Sequence, residues 1–201
     1  MRIGILGSGL MGGKLGTLFE RAGHEVVFSY ARSQAKLKRL ARIAGGNALA
    51  GTPAEAAQGA DALLLAVHWS RFPDVLQQAG DISGKVIVSC SLPMNAGNTE
   101  LVVAHTSSGV EELAKIVPKA RVVAAFNSVP SEVLFSVYEG RRRAKRPSLV
   151  YCGDDKRANP VDAGPARIAR YIEPFALLVA QLAYEGEGGP ELAYRFDRRG
   201  K

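Results

Sequence analysis

The chain has 201 residues, 47% of them hydrophobic, with 22 glycines and a formal net charge of +7. That length holds one domain with a buried core, or one domain plus a small appendage. No run reaches the about 18 uninterrupted apolar residues of a membrane span, so no membrane partner is expected. Ile3, Ile5 and Leu6 already read as a strand, which leaves no room for a signal peptide. Cys90 and Cys152 match no metal or redox spacing, so no metal site is expected and both are read as buried thiols of a cytoplasmic protein.

The apolar run at the start breaks into Gly7-x-Gly9-x-x-Gly12. A segment follows in which Met11, Leu15, Leu18, Phe19 and Ala22 recur at helical spacing. Strand, glycine turn and helix in that order form the pyrophosphate grip of a dinucleotide site. Gly7 allows the tight turn, Gly9 admits the pyrophosphate, and Gly12 lets the helix pack on the sheet. The N–H groups of Ser8, Gly9, Leu10, Met11 and Gly12 are expected to face the phosphates at the positive helix end.

A second strand is expected over 25–29. Its end distinguishes NAD from NADP, because NAD enzymes place a carboxylate there for the ribose 2′-hydroxyl. The sequence is Phe28-Ser29-Tyr30-Ala31-Arg32-Ser33, with no carboxylate. Ser29 and Arg32 can meet a 2′-phosphate, Arg32 with a forked donor set, and Ser33 and Lys36 lie beside them. NADP (NADPH) is therefore the expected cofactor.

Further along, a charged helix over 33–44 ends at Gly45-Gly46, and a short strand lies near 48–50. Thr52-Pro53-Ala54-Glu55 is a capping box with proline at the first helical position. The apolar runs 62–67 and 86–89 read as central parallel strands covered on both faces. Ser108-Gly-Val-Glu111 opens a helix to about 117, Arg121–Ala125 is a strand, a helix follows over 131–138, and a strand spans 148–152. Past Val161, Gly164-Pro165 opens a long helix that Pro174 should kink. The alternation predicts an α/β fold: a Rossmann-type, doubly wound, mainly parallel sheet with a long C-terminal helix. Residues 1–201 read as a single NADP-binding domain, with 161–201 a helical extension that completes the acceptor pocket or a dimer contact.

Ligands of such sheets sit beyond the carboxyl ends of the strands. The loops containing Ala66, Val67 and His68, then Ser89, then Ala125 and Asn127, are thus expected to line the cofactor groove and the acceptor pocket. His68 is the candidate general acid, although a lone histidine at a strand end is more often a backbone-bonded shape element; His105 ranks below it. The basic run Arg141-Arg142-Arg143-Ala144-Lys145-Arg146 lacks interleaved aromatics, so no nucleic acid is expected there. It reads as a solvated loop or an attractor for an acidic cofactor or substrate.

The glycine turn, Ser29 with Arg32, Ala66-Val67, the segment from Thr106 to Leu113, Ala125-Phe126-Asn127, Cys152-Gly153-Asp154-Asp155 and Asp162-Ala163-Gly164-Pro165 occur in one familiar order. Together they resemble the NADPH-dependent reductases of the deazaflavin coenzyme F-420 and their bacterial NADP-binding relatives. The cofactor domain is also similar to those of pyrroline-5-carboxylate reductases and membrane ferric reductases. The resemblance implies hydride transfer between NADP(H) and a flat acceptor, a deazaflavin or flavin, in a homodimer. Orientation and water exclusion suffice for such a transfer. Two other readings stand beside it: a non-catalytic NADP(H) sensor, and an imine or carbonyl reductase with His68 or Tyr171 as proton donor. One departure is the segment Lys156-Arg-Ala-Asn-Pro160, where the family has a full helix. It is too short for a parallel crossover, so the last strand is expected antiparallel or absent.

Overall fold

β1 (Arg2–Leu6) runs through the glycine turn into α1 (Leu10–Arg21), followed by β2 (Glu25–Ser29), α2 (Gln34–Ala44), β3 (Leu49–Ala50), α3 (Pro53–Ala57) and β4 (Ala62–Leu65). Then come α4 (Phe72–Ala79), β5 (Val86–Ser89), α5 (Gly109–Ile116), β6 (Arg121–Ala125), α6 (Leu134–Glu139) and β7 (Tyr151–Cys152). This computed structural model describes residues 1–143 and 149–153. The expected long C-terminal helix with its Pro174 kink, Tyr171, the Asp162-Ala163-Gly164-Pro165 segment, the short stretch 156–160 and the end of the basic run lie outside the described residues.

The strands form one sheet in the order β3-β2-β1-β4-β5-β6-β7. All pair in parallel except β7, which runs antiparallel to β6 with Ala124 opposite Cys152. The strand order turns back between β1 and β4, and Ile5 sits opposite Phe28 on one side and Leu64 on the other. That reversal opens a crevice at the carboxyl ends, where a ligand can enter.

Helices cover both faces. Ile3, Ile5, Val26, Phe28 and Leu64 pack with Leu15, Leu18, Leu37 and Leu134 of α1, α2 and α6. Leu6, Val27, Leu63, Leu65 and Ile87 pack with Ala56, Phe72, Val75 and Leu113 of α3, α4 and α5. Such two-sided burial explains why the central strands read as unbroken apolar runs rather than alternating ones. Phe28 is fully buried, and truncating it to alanine costs about 3–5 kcal/mol.

Local signals end the helices where expected. Ser33 caps α2 by accepting from the Lys36 N–H, and Thr52 and Glu55 complete both halves of the capping box on α3. α4 fills a stretch in which no helix was anticipated. Its signal was present: Phe72, Val75, Leu76 and Ala79 are buried at three- and four-residue spacing, and Pro73 stands in the first turn. Among the described residues no helix is long and apolar enough to cross a membrane.

Candidate functional site

Gly7 has φ +112°, and a Cβ there would lie 2.4 Å from the Ala66 carbonyl oxygen. A Cβ on Gly12 would lie 1.9 Å from the Gly7 carbonyl oxygen and 3.1 Å from Ala66 Cβ, so the helix start packs closely on both the turn and the end of β4. Gly9 faces open space, with nothing within 4 Å of an added Cβ. It caps α1 without a side-chain bond, and the first intrahelical bond runs from Gly13 N–H to Gly9 O at 3.0 Å. The N–H groups of Leu10, Met11 and Gly12 therefore point out of the helix start, and no acidic side chain in the first turn offsets their positive field. Open space over Gly9 beside this cluster of donors fits a pyrophosphate.

Ser8 does not share that task. Its N–H donates to Tyr30 O at 3.2 Å and its hydroxyl to Ser29 O at 2.8 Å, which stitches the turn to the end of β2. Ser29 is likewise turned inward: fully buried, its hydroxyl donates to Ile5 O at 2.7 Å. The expected hydroxyl contact to a ribose phosphate is thus replaced by a bond inside the sheet. Arg32 is exposed and no described residue pairs with it; Ser33 and Lys36 stand beside it at the start of α2.

No carboxylate lies at the end of β2, but one reaches it from α4. The Tyr30 hydroxyl donates to Asp74, whose other oxygen accepts from Gln78. Burial, then Asp74, raises the Tyr30 pKa; the Tyr30 and Gln78 hydrogen bonds hold the Asp74 carboxyl below its ordinary value. Tyr30 has φ +56°, which a bulky side chain rarely adopts.

From the first turn of α1, a cavity of about 510 Å³ extends over the ends of β4, β5 and β6. Leu10, Met11, Ala66, Val67, His68 and Asn127 line it, joined by Cys90, Met94, Asn98 and Phe126. Ser89 and Ala125 do not, because both are buried within their strands. The loops brace one another. Ser91 Oγ donates to Val67 O at 2.6 Å, and the Asn127 side-chain amide donates to Ser91 O at 2.9 Å. Phe126, at φ +65°, is a second aromatic held in the left-handed region directly after a strand. Such strain, about 1–3 kcal/mol, persists only where the surroundings enforce it.

Neither cavity group with acid–base potential is free. The backbone N–H of Ser70 donates to His68 Nδ1 at 3.2 Å, which assigns the ring proton to Nε2; Nε2 donates to Asn95 O at 3.1 Å. Both nitrogens of His68 are thus engaged by protein groups, Nδ1 at Ser70 and Nε2 at Asn95 O, which fixes the ring in place. Burial pushes the Cys90 thiol up to about 12. His105 is exposed and stands away from the cavity.

The geometry has counterparts among known proteins. Residues 2–93 match the family described as NADP oxidoreductase, coenzyme F420-dependent. Metalloreductase STEAP3 of Rattus norvegicus is 27% identical over 189 residues, covering 88% of this chain and 36% of that protein. The chain thus spans about a third of the length of this curated relative. Among solved structures, an Arthrobacter protein provisionally described as an F420-dependent NADP reductase superposes with a TM-score of 0.84 at 21% identity, covering 98% of this chain and 100% of its own. A hypothetical protein of Sinorhizobium meliloti gives 0.71 at 24% identity, with 98% and 96% covered. A reductive aminase of Aspergillus terreus, solved with NADPH and ethyl-5-oxohexanoate, gives 0.61 at 18% identity, with 90% and 61% covered. At these identities the structural likenesses speak for the fold, a Rossmann-type α/β sheet.

Proposed function

We propose that this chain is an NADPH-dependent oxidoreductase that moves a hydride between NADP(H) and a flat ring acceptor, a deazaflavin or a flavin. The observation that carries the reading is the continuity of the groove: an open, donor-rich helix start leads without a break into a largely apolar cavity. Bound along it, NADPH supplies the hydride. The N–H groups of Gly9 to Gly12 hold its pyrophosphate, and Arg32, with Ser33 and Lys36 behind it, takes the 2′-phosphate. Met11, Val67 and Phe126 flank the ring end and exclude water. A hydride passing between stacked rings needs orientation more than a proton relay, which suits walls whose imidazole is fully bonded and whose thiol is kept neutral. On this reading residues 161–201 complete the acceptor pocket or make a homodimer contact; sedimentation of the full chain with and without NADPH checks the dimer.

The test is to mix the purified protein with NADPH and follow nicotinamide absorbance with oxidised deazaflavin, riboflavin, FMN and a panel of imines and carbonyls, each separately. Turnover with ring acceptors alone is the expected result. Turnover confined to imines or carbonyls overturns it. Tight NADPH binding with no turnover points instead to a sensor.

A further inference from the structure

Beyond β5 the chain folds back on itself. Met94 bridges Leu101 in antiparallel fashion, Val102 N–H donates to Pro93 O at 2.8 Å, and Asn95 N–H donates to Glu100 O at 2.9 Å. The Asn95 side chain ties the crest from within: Oδ1 accepts from Thr99 N–H at 3.0 Å and Nδ2 donates to Thr99 Oγ1 at 2.9 Å. The hairpin is thus well braced internally. Its crest, residues 96–100, is exposed, while Met94 at its base is buried and, with Asn98, forms a wall of the cavity.

A side chain from another loop reaches the hairpin: His68 Nε2–H donates to Asn95 O, across 27 positions of sequence. The ring can make that bond because Ser70 N–H, with Ser70 Oγ 2.9 Å away, occupies Nδ1 and leaves the proton on Nε2. One imidazole therefore links the end of β4, where the cofactor groove passes, to a wall of the acceptor cavity.

We propose that His68 is a positioning residue: its ring latches the 94–101 hairpin against the cavity, so that Met94 and Asn98 are held at the spacing a flat acceptor needs. This rests on the hydride-transfer reading for the word acceptor, but not for the latch. In a latched hairpin the cavity has a fixed width; with the latch broken, the hairpin swings on its flanks at 92–93 and 102–103.

The test uses the full chain with His68→Ala, His68→Phe and His68→Gln. His68→Phe keeps the ring's bulk without its donors, and Gln can still donate to Asn95 O. Hydrogen exchange at the Val102 amide, whose bond to Pro93 O joins the two flanks, should quicken about fivefold in His68→Ala and His68→Phe, the fold-change of one net hydrogen bond, and return toward the wild-type rate in His68→Gln. The acceptor KM should rise by about the same factor, and by more than any change in kcat or in NADPH affinity. Unaltered exchange in the Ala and Phe variants, or equal loss in Gln, overturns the latch. Faster exchange with an unchanged acceptor KM overturns the positioning role. A fall in kcat with KM unchanged would return His68 to proton transfer. If no acceptor turns over at all, the exchange rates still decide the latch, while the hydride-transfer reading fails separately.

Discussion

Residues 2–93 and residues 94–153 build their halves of the groove by different means. In the first half several turns are set largely by their own few residues: Gly7 by its positive φ, Gly12 by contact with the Gly7 carbonyl, and α3 by the Thr52–Glu55 box. In the second half the loops are shaped by one another, through Asn127 on Ser91, His68 on Asn95 and the strained Phe126. The family match covers the first half and stops where the second begins. A phosphate grip depends on backbone geometry that few sequences can supply. An acceptor wall depends on side chains that many sequences can supply.

The sharpest way to break this contrast is Gly12→Ala. With 1.9 Å between the new Cβ and the Gly7 oxygen, either the turn or the helix must move. Urea melts should show a loss of about 3 kcal/mol, and NADPH binding should vanish; near-normal affinity would mean that the turn does not hold the pyrophosphate. Next comes Arg32→Ala. Losing a forked, charge-assisted pair to a 2′-phosphate should weaken NADPH about a hundredfold and leave NADH nearly untouched. Equal losses in the two titrations would remove the NADP assignment.

Much of the first half was readable because its determinants are adjacent in sequence. The glycine spacing, the Ser33 and Thr52 caps and the apolar strands each sit within a few residues. α4 was equally local, and its spacing and Pro73 were there to be read. Other features were not local. The inward turn of the Ser29 hydroxyl depends on Ile5 O, the bond from Tyr30 to Asp74 spans 44 positions, and that from His68 to Asn95 spans 27. Which way a hydroxyl or an imidazole faces is decided by groups that only the folded chain brings near. That is why Ser8, Ser29, Ser89 and Ala125 read as ligand contacts from the sequence, while the folded chain buries them.

Smaller effects probe the second half. Asn127→Ala removes the donor to Ser91 O and should cost about 1 kcal/mol in thermal or urea melts. The acceptor KM should change while NADPH affinity holds; the reverse pattern would place Asn127 on the cofactor side. The mildest test concerns Cys90, where the two halves meet. Its folded thiol titrates at about 12 against an ordinary 9.0, so above pH 9.0 the unfolded chain ionises and the folded one does not. Stability from this group is therefore intact below pH 9.0 and declines as pH climbs toward about 12. In native protein at pH 8, iodoacetamide should leave Cys90 unmodified until denaturant is added; prompt labelling followed by mass spectrometry would show the thiol to be accessible.

The two-residue β3 has a consequence for how copies of this chain meet. A long, flat edge strand invites a neighbour to extend the sheet and seeds fibres. Here that border of the sheet is only Leu49–Ala50, with glycines at 45, 46 and 51 around it and Pro53 close behind. Few unpaired backbone groups are left for a second chain to align on. Along this border the short strand and the glycines and proline around it offer little to align on, which guards against sheet-to-sheet aggregation.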